Sequence, residues 1–558
     1  MKLNITLVIL LLISNFESFS QNRYVIKFTD KIGTPYSISN PSAFLSPRAI
    51  NRRINHGIAI TTSDLPVNPS YISGVQATGA TILNKSKWLN AVTVEITNPS
   101  QLTAINALPY VFISENIGRL SNQTANPTSN KFSKEIIKAV PQNYASSNLK
   151  TGSLDYGMAN NQTSMIGINN LHDSGYSGYG MLIAVFDAGF YDANNMDCFD
   201  SLYANNQVVT TWDFVDNESD VYDDHYHGST VLSCMAANKP GEMIGTAPHA
   251  QYILLRSEDV NSENIIEEYN YASAAEFADS MGADLMHSSL GYYTFDISST
   301  SHTYADMDGN TAPATIAADM AASKGILVVS SAGNEGNSNW NYIGTPADGD
   351  SVLAIGAVDQ TSAQYVGFSS NGPSYDGRVK PDVAAVGQGT YLFYPGTSSV
   401  AQGNGTSFSG PIIAGAASCL WQAWPGLSNM EIIQAIKESS NQYTNPDTLL
   451  GYGIPNFTLA NSILSLGEVS FPRNEVLHVF PNPWNGNTPL NALYLPVNNS
   501  KIIVELYDAT GKLVFSQSQN VIGGAFGKIT ISENISNGIY LLKITDNNKE
   551  FTKKVIRE

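Results

Sequence analysis

Asn404-Gly405-Thr406-Ser407-Phe408-Ser409-Gly410-Pro411 runs straight into an apolar stretch, Ile412 to Trp421. The small residues make a turn that a carbonyl group can approach closely. The apolar run that follows starts a helix, whose N-terminus stabilises developing negative charge. Ser407 is therefore placed as a nucleophile at a helix start. A serine hydroxyl needs a neighbouring base, and that base needs an orienting carboxylate. Two upstream segments supply candidates. Met181 to Phe186 is a buried-strand run ending in Asp187-Ala188-Gly189, and His225-Tyr226-His227-Gly228-Ser229-Thr230-Val231 opens another apolar helix. His227 is preferred to His225 as the base because Gly228 follows it and the helix begins there. Asp187, His227 and Ser407 stand in that order, 40 and 180 residues apart.

A fourth element suits acyl transfer. Ile326 to Ser331 is a buried strand running into Ala332-Gly333-Asn334-Glu335-Gly336, a glycine turn that displays Asn334. Its amide can donate to the oxyanion of a tetrahedral intermediate, with the Ser407 backbone N–H as the second donor. Around these segments, residues 151–465 alternate strands with helices of crossover length. Strand candidates are Leu182–Phe186, Gln251–Leu255, Ala283–His287, Ile326–Ser330 and Val352–Ile355, with helices at Glu263–Met281 and Ala312–Lys324. This is the pattern of an α/β unit, a parallel sheet flanked by helices, whose sites collect at the carboxyl ends of strands.

The sequences around Asp187, His227-Gly228, Asn334 and Ser407 closely resemble the subtilisin-like serine peptidases. Gly245-Thr246-Ala247-Pro248, Phe368 to Pro373, Lys380 to Val383 and Gly451-Tyr452-Gly453 support the match. The resemblance implies an endopeptidase with a Ser407, His227 and Asp187 triad, an oxyanion hole of Asn334 and Ser407, and no cofactor for the chemistry. It also implies that Ser289, Leu290 and Gly291 bind substrate backbone as an added strand. Ser229, Phe408 and Ser409-Gly410 depart from the family's usual residues, which bears on substrate preference rather than on the catalytic set. Two readings compete: an exported binding or adhesion protein on an inactive scaffold, and a peptide acyl-transferase using the same triad.

The flanking segments point to export and latency. Residues 1–20 combine Lys2, an apolar Ile5–Ile13 core and Ser18-Phe19-Ser20, the layout of a cleaved signal peptide. No later segment approaches the roughly 18 apolar residues of a membrane span. Residues 21–118 read as a small α/β domain similar in layout to the family's inhibitory propeptides. Residues 119–150, rich in Asn, Ser, Thr and Lys, read as an exposed connector carrying a maturation cleavage site. After a linker at 466–478, residues 479–558 read as a β-sandwich. Val479-Phe480-Pro481-Asn482-Pro483 and Gly538-Ile539-Tyr540 resemble the sorting domain of the type IX secretion route, which implies passage through the periplasm of a Gram-negative bacterium to the surface or medium.

Charge divides the same way. Residues 21–149 hold 12 Lys/Arg against 5 Asp/Glu, net +7, and residues 150–465 hold 7 against 34, net −27. Opposite fields favour docking of the first unit on the second, its connector laid along the cleft, and the acidic centre argues against nucleic acid as a partner. The expected partners are protein or peptide substrates, the chain's own propeptide and an export machinery. Cys198, Cys234 and Cys419 allow one disulfide and leave one thiol over. Calcium is common in the resembled family. Asp306-Met307-Asp308-Gly309-Asn310-Thr311 and the run Asp213 to Asp224 are acidic enough to hold it, though both read more simply as solvated loops, and no metal ligand is assigned.

Overall fold

The computed structural model describes residues 22–119, 132, 134–140, 154–396, 399–465, 477–480, 482, 484, 490–494, 500–521, 527–531, 535–547 and 549–557. The expected export segment 1–20 and most of the linker 466–478 lie outside them.

The central sheet runs Ile137–Ala139, Ser399–Asn404, Val383–Tyr394, Val352–Asp359, Leu327–Ser331, Leu285–Ser288, Leu182–Asp187, Gln251–Arg256, Val208–Asp213. All pairs from Val383–Tyr394 to Val208–Asp213 are parallel, and Ser399–Asn404 is antiparallel to both its neighbours. Leu182–Asp187 is buried at every position because helices cover both faces, and its unbroken apolar reading follows from that. On one face the helices Ile266–Met281 and Pro313–Ser323 pack through alanines such as Ala275, Ala278, Ala317 and Ala321. The helices His227–Ala236 and Thr406–Ala423 pack against the other. The order turns about Leu182–Asp187, which pairs with Gln251–Arg256 on one side and Leu285–Ser288 on the other. A crevice at the carboxyl ends of strands forms at such a switch point, and Asp187 stands in it.

Residues 22–119 form a four-stranded antiparallel sheet, in the order Thr81–Ser86, Ala91–Ile96, Asn22–Phe28, Val111–Arg119. Its helices Pro47–Asn55, Pro69–Gln76 and Pro99–Asn106 each start with proline behind a capping residue, Ser46, Asn68 or Asn98. One face of this sheet lies on the helix Ile266–Met281, Val25, Ala91 and Ile117 meeting Ile266 and Tyr269. A buried ionic cluster locks the contact. Asp279 takes Arg52 at 2.6 Å, Arg53 at 2.9 Å and Lys87 at 3.2 Å, while Arg53 also reaches Asp64 at 2.8 Å. Glu276 receives the Lys87 and Trp88 backbone N–H groups at 2.6 and 2.9 Å. Burial works to raise Asp279, but Lys87, Arg52 and Arg53 outweigh it and hold its carboxyl below the ordinary range.

The described part of the connector, residues 132 and 134–140, is more than a loop. Phe132 is buried, and Ile137–Ala139 is an edge strand paired with residues 401–403. Alternation over so short a stretch gives little periodic signal, and the strand exists only because the edge at Ser399–Asn404 is there to pair with. All three cysteines are buried free thiols, so the disulfide that the count allows is not made. The last unit packs a three-stranded sheet against a four-stranded antiparallel one around Trp484, Tyr494, Leu506 and Ile544.

Removing one partner of a buried ion pair typically costs about 3–5 kcal/mol. Asp279→Ala leaves buried Arg52 and Lys87 without their counter-charge and Arg53 with Asp64 alone. Binding of a separately produced 22–119 unit to the rest of the chain should weaken by at least about 100-fold, read by calorimetric titration. Unchanged affinity would show that the cluster does not hold the two together.

Candidate active site

The Thr406–Ala423 helix presents Ser407 in its first turn, where backbone N–H groups have no intrahelical acceptor. Pro411 lacks the N–H that would otherwise bond the Ser407 carbonyl four residues back. That carbonyl instead accepts the Ser289 hydroxyl at 2.9 Å, and Ser289 Oγ is 2.9 Å from His287 Nε2. Burial pushes His287 down to about 3, so it is neutral and acts as a prop beneath the nucleophile.

His227 is the first residue of a wholly buried helix. A Cβ on Gly228 would stand 2.2 Å from the Gly189 carbonyl and 2.9 Å from Asp187 Cβ. Only glycine lets the helix start approach the end of the Leu182–Asp187 strand, and this is what brings the His227 ring to Asp187. Nδ1 is 2.7 Å from Asp187 Oδ1. His225 does not compete for the site: its Nδ1 accepts the His227 backbone N–H at 3.3 Å, and burial, with the His227 charge, pushes it down to about 4.

Asn334 is held by its oxygen. Thr406 donates to Oδ1 twice, from its backbone N–H at 2.8 Å and from its hydroxyl at 3.1 Å, which turns Nδ2 into the cleft. Ser289, Leu290 and Gly291 line the cavity beside Ser407 opposite Gly333 and Asn334, a volume of 260 Å³. Ser289, Leu290, Gly291, Asn334 and Ser407 thus line one cleft, and His227 and Asp187, both buried, lie outside its lining.

Glu135 stands in the middle of it and was not foreseen. Its Oε1 accepts hydrogen bonds from Ser407 Oγ and, at 3.1 Å, from Asn334 Nδ2, while Oε2 forms an ion pair with His227 Nε2 at 2.8 Å. This carboxylate therefore ties the three side chains together, one oxygen shared by Ser407 and Asn334 and the other against His227. A Cβ on Gly405 would come within 3.1 Å of its carboxyl carbon, so the glycine before Thr406 is what leaves room. Phe132 stacks on the His227 ring with centroids 3.9 Å apart. Burial alone would push His227 down, but Asp187 and Glu135 outweigh it and hold the imidazole up at about 10. With the segment seated, His227 is a cation and no base. A glutamate in a polar connector carries no motif, and only the cleft gives it meaning.

The acidic loops read as calcium candidates are otherwise engaged. Asp308 accepts the Asn310 and Thr311 backbone N–H groups at 2.8 and 2.9 Å, and Asp306 that of Thr303 at 2.7 Å. The Asp213–Asp224 run is exposed over 216–220, as a solvated loop would be, but it is anchored by Arg256, which binds Asp213, Asp216 and Asp224 at 2.7, 2.6 and 3.1 Å. A guanidinium already supplies the positive charge there, so the Asp213–Asp224 run does not fit a calcium ion as arranged. Among the described residues, one acidic trio converges within 4.8 Å, Glu258, Glu263 and Glu267.

Residues 178–453 match the Subtilase family, residues 23–134 the Peptidase S8 propeptide domain of Bacteroidota, and residues 478–558 the Secretion system C-terminal sorting domain. A thermophilic serine proteinase of Bacillus sp. (strain AK1) is 32% identical over 277 residues, 49% of this chain and 60% of the relative. The chain therefore spans less than two thirds of that relative. Subtilisin of Bacillus pumilus is 31% identical over 294 residues, 52% of this chain and 94% of subtilisin. The solved epidermin leader peptide processing serine protease of Staphylococcus aureus shares the fold, with a TM-score of 0.52 and 15% identity over 80% of this chain and 99% of that one. Among the described residues no helix is long and apolar enough to cross a membrane.

Glu135→Gln keeps the shape of the segment and removes one of the two charges that raise His227. Its imidazole should then titrate below about 10 in the unprocessed chain. A raised histidine contributes stability in full below its ordinary value near 6.5 and loses it as pH climbs through the raised one. The parent segment should accordingly loosen as pH rises from about 6.5 towards 10. Imidazole resonances followed through a pH titration check both; identical midpoints in the two chains would mean that Glu135 does not sit on His227.

Proposed function

This chain belongs to the subtilase family, and from that premise we propose that it is a secreted serine endopeptidase made as a zymogen. Ser407 Oγ attacks a peptide carbonyl carbon while His227 Nε2 takes its proton; Asp187 orients the imidazole and stabilises its charge. The Asn334 amide and the Ser407 backbone N–H stabilise the oxyanion. His227 then hands the proton to the leaving amine, and water resolves the acyl-enzyme. The observation that carries this reading is the convergence of Ser407, His227 and Asn334 on one group, the Glu135 carboxylate, with Asp187 against His227 Nδ1. The same contact supports latency, because the segment that blocks Ser407 also keeps its base protonated. Residues 22–119 act as the docking unit of that latency, on the strength of their cluster at Asp279. No cofactor enters the chemistry. Export to the surface or medium rests on the sorting match at 478–558.

Ser407→Ala and His227→Ala should each abolish hydrolysis of an unfolded protein substrate, and His225→Ala should be mild, since triad members act as a unit. Loss of activity in His225→Ala with His227→Ala active would reverse the base assignment. Asn334→Ala should lower kcat by about 10²–10³ with KM nearly unchanged, the typical cost of one oxyanion donor. A pure KM effect in steady-state kinetics would remove Asn334 from the hole.

A further inference from the structure

The chain's own segment occupies the cleft on both sides of Ser407, and its side chains report what each side accepts. Downstream of Glu135, the Asn404 backbone N–H donates to the Ile136 carbonyl at 3.2 Å, and Ile137 pairs with Gly403. Upstream, Phe132 covers His227 and Lys134 enters the cavity walled by Ser289–Gly291 and by Gly333–Glu335. The Lys134 ammonium there meets Glu335 at 2.5 Å, a carboxylate only 12% exposed. Glu335 follows the oxyanion donor Asn334 directly, so a cation seated on it is positioned with respect to the reacting carbonyl. Glu258 and Glu263 line the same cavity, and Glu258 is held in place by the Tyr292 hydroxyl at 2.9 Å. Three carboxylates around one partly enclosed cavity repel an acidic side chain. They leave an aliphatic one without a polar partner and reward a long cationic one, whose stem lies along the wall while its head reaches the charge.

We infer that this cleft selects peptides with lysine or arginine immediately before the scissile bond, and that the chain's own maturation bond is Lys134–Glu135. The inference rests on the serine-peptidase reading given above. Rotation of the Glu135 side chain out of the oxyanion site removes one of the two charges that keep His227 protonated, so Nε2 gives its proton to water and becomes a base. The neighbouring Lys134 carbonyl takes the vacated place, with Lys134 already in the selecting cavity. Ser407 Oγ then bonds to the Lys134 carbonyl carbon, and its proton passes to His227 Nε2. The Lys134–Glu135 C–N bond breaks as that proton moves to the Glu135 nitrogen. Water attacks the acyl-enzyme, gives its proton through His227 back to Ser407 Oγ, and leaves Lys134 with a free carboxylate. The product chain begins at Glu135.

Two measurements on the full-length chain test this. Intact mass and N-terminal sequencing of the self-processed protein should give Glu135 first, with Ser407→Ala unprocessed and Lys134→Ala processed about tenfold more slowly. Quenched fluorescent peptides differing only at the residue before the cut should rank Lys and Arg at least about tenfold above Leu in kcat/KM, with Glu last, the scale of a charge-assisted hydrogen bond in a half-exposed site. Glu335→Gln should reduce the Lys-to-Leu ratio about tenfold, and Glu335→Lys should invert the ranking of Lys and Glu. Cutting with no basic preference, or a mature terminus elsewhere, overturns this inference while leaving the peptidase reading intact. Failure to cut any peptide, or processing that persists in Ser407→Ala in the absence of other protease, overturns both.

Discussion

The Glu135 carboxylate accepts hydrogen bonds from Ser407 and Asn334 and forms an ion pair with His227, and the rest of the cleft is arranged by what those three contacts require. Ser407 must stand in the first turn of a helix, where its carbonyl, freed by the missing N–H of Pro411, is held by the Ser289 hydroxyl. Asn334 must offer its nitrogen, which the double donation from Thr406 secures. His227 must stand against Asp187, which the absent side chain of Gly228 permits. A group that satisfies all of them at once has the shape of a carboxyl carbon with one oxygen in the hole, the shape of an acyl centre. On the proposed reading, the side chains that Glu135 ties up are those that the reaction uses, so blocking and catalysis exclude each other without any separate lock.

Holding a carboxylate there has an electrostatic consequence. A buried imidazole between two carboxylates stays protonated far above its usual range, and a protonated imidazole takes no proton from serine. Release of the segment restores the base as well as opening the cleft. The docking unit contributes from a distance. Its arginines converge on Asp279 in a helix of the central unit, where the opposite charges of the two units meet.

Most of the architecture was legible in the chain because its signals are local. The apolar run at Leu182–Phe186 reads as a buried parallel strand, and the structure makes it one. The turns before Ser407 and around Asn334 declare their chemistry through small residues next to a helix or after a strand. Asp187, His227, Ser407 and Asn334 meet where the strand ends suggested. What escaped reading depends on partners remote in sequence. Ile137–Ala139 is a strand only beside residues 401–403, and Glu135 is one carboxylate in a polar connector until Ser407, 272 residues later, gives it a partner. The anchor of the acidic run at Asp213–Asp224 was not legible because Arg256, its partner, arrives from the adjacent strand. His287 reads as a strand residue, since its prop beneath Ser289 exists only in three dimensions.

The central claim, that Ser407 is an activated nucleophile kept latent by Glu135, is tested most directly by covalent labelling. A fluorophosphonate probe with peptide mass spectrometry should place its adduct on Ser407 of the processed protein. It should label the unprocessed chain much more slowly, and Glu135→Ala should restore fast labelling before any cleavage. An adduct on another residue, or unprocessed and processed chains labelled at the same rate, would contradict the account.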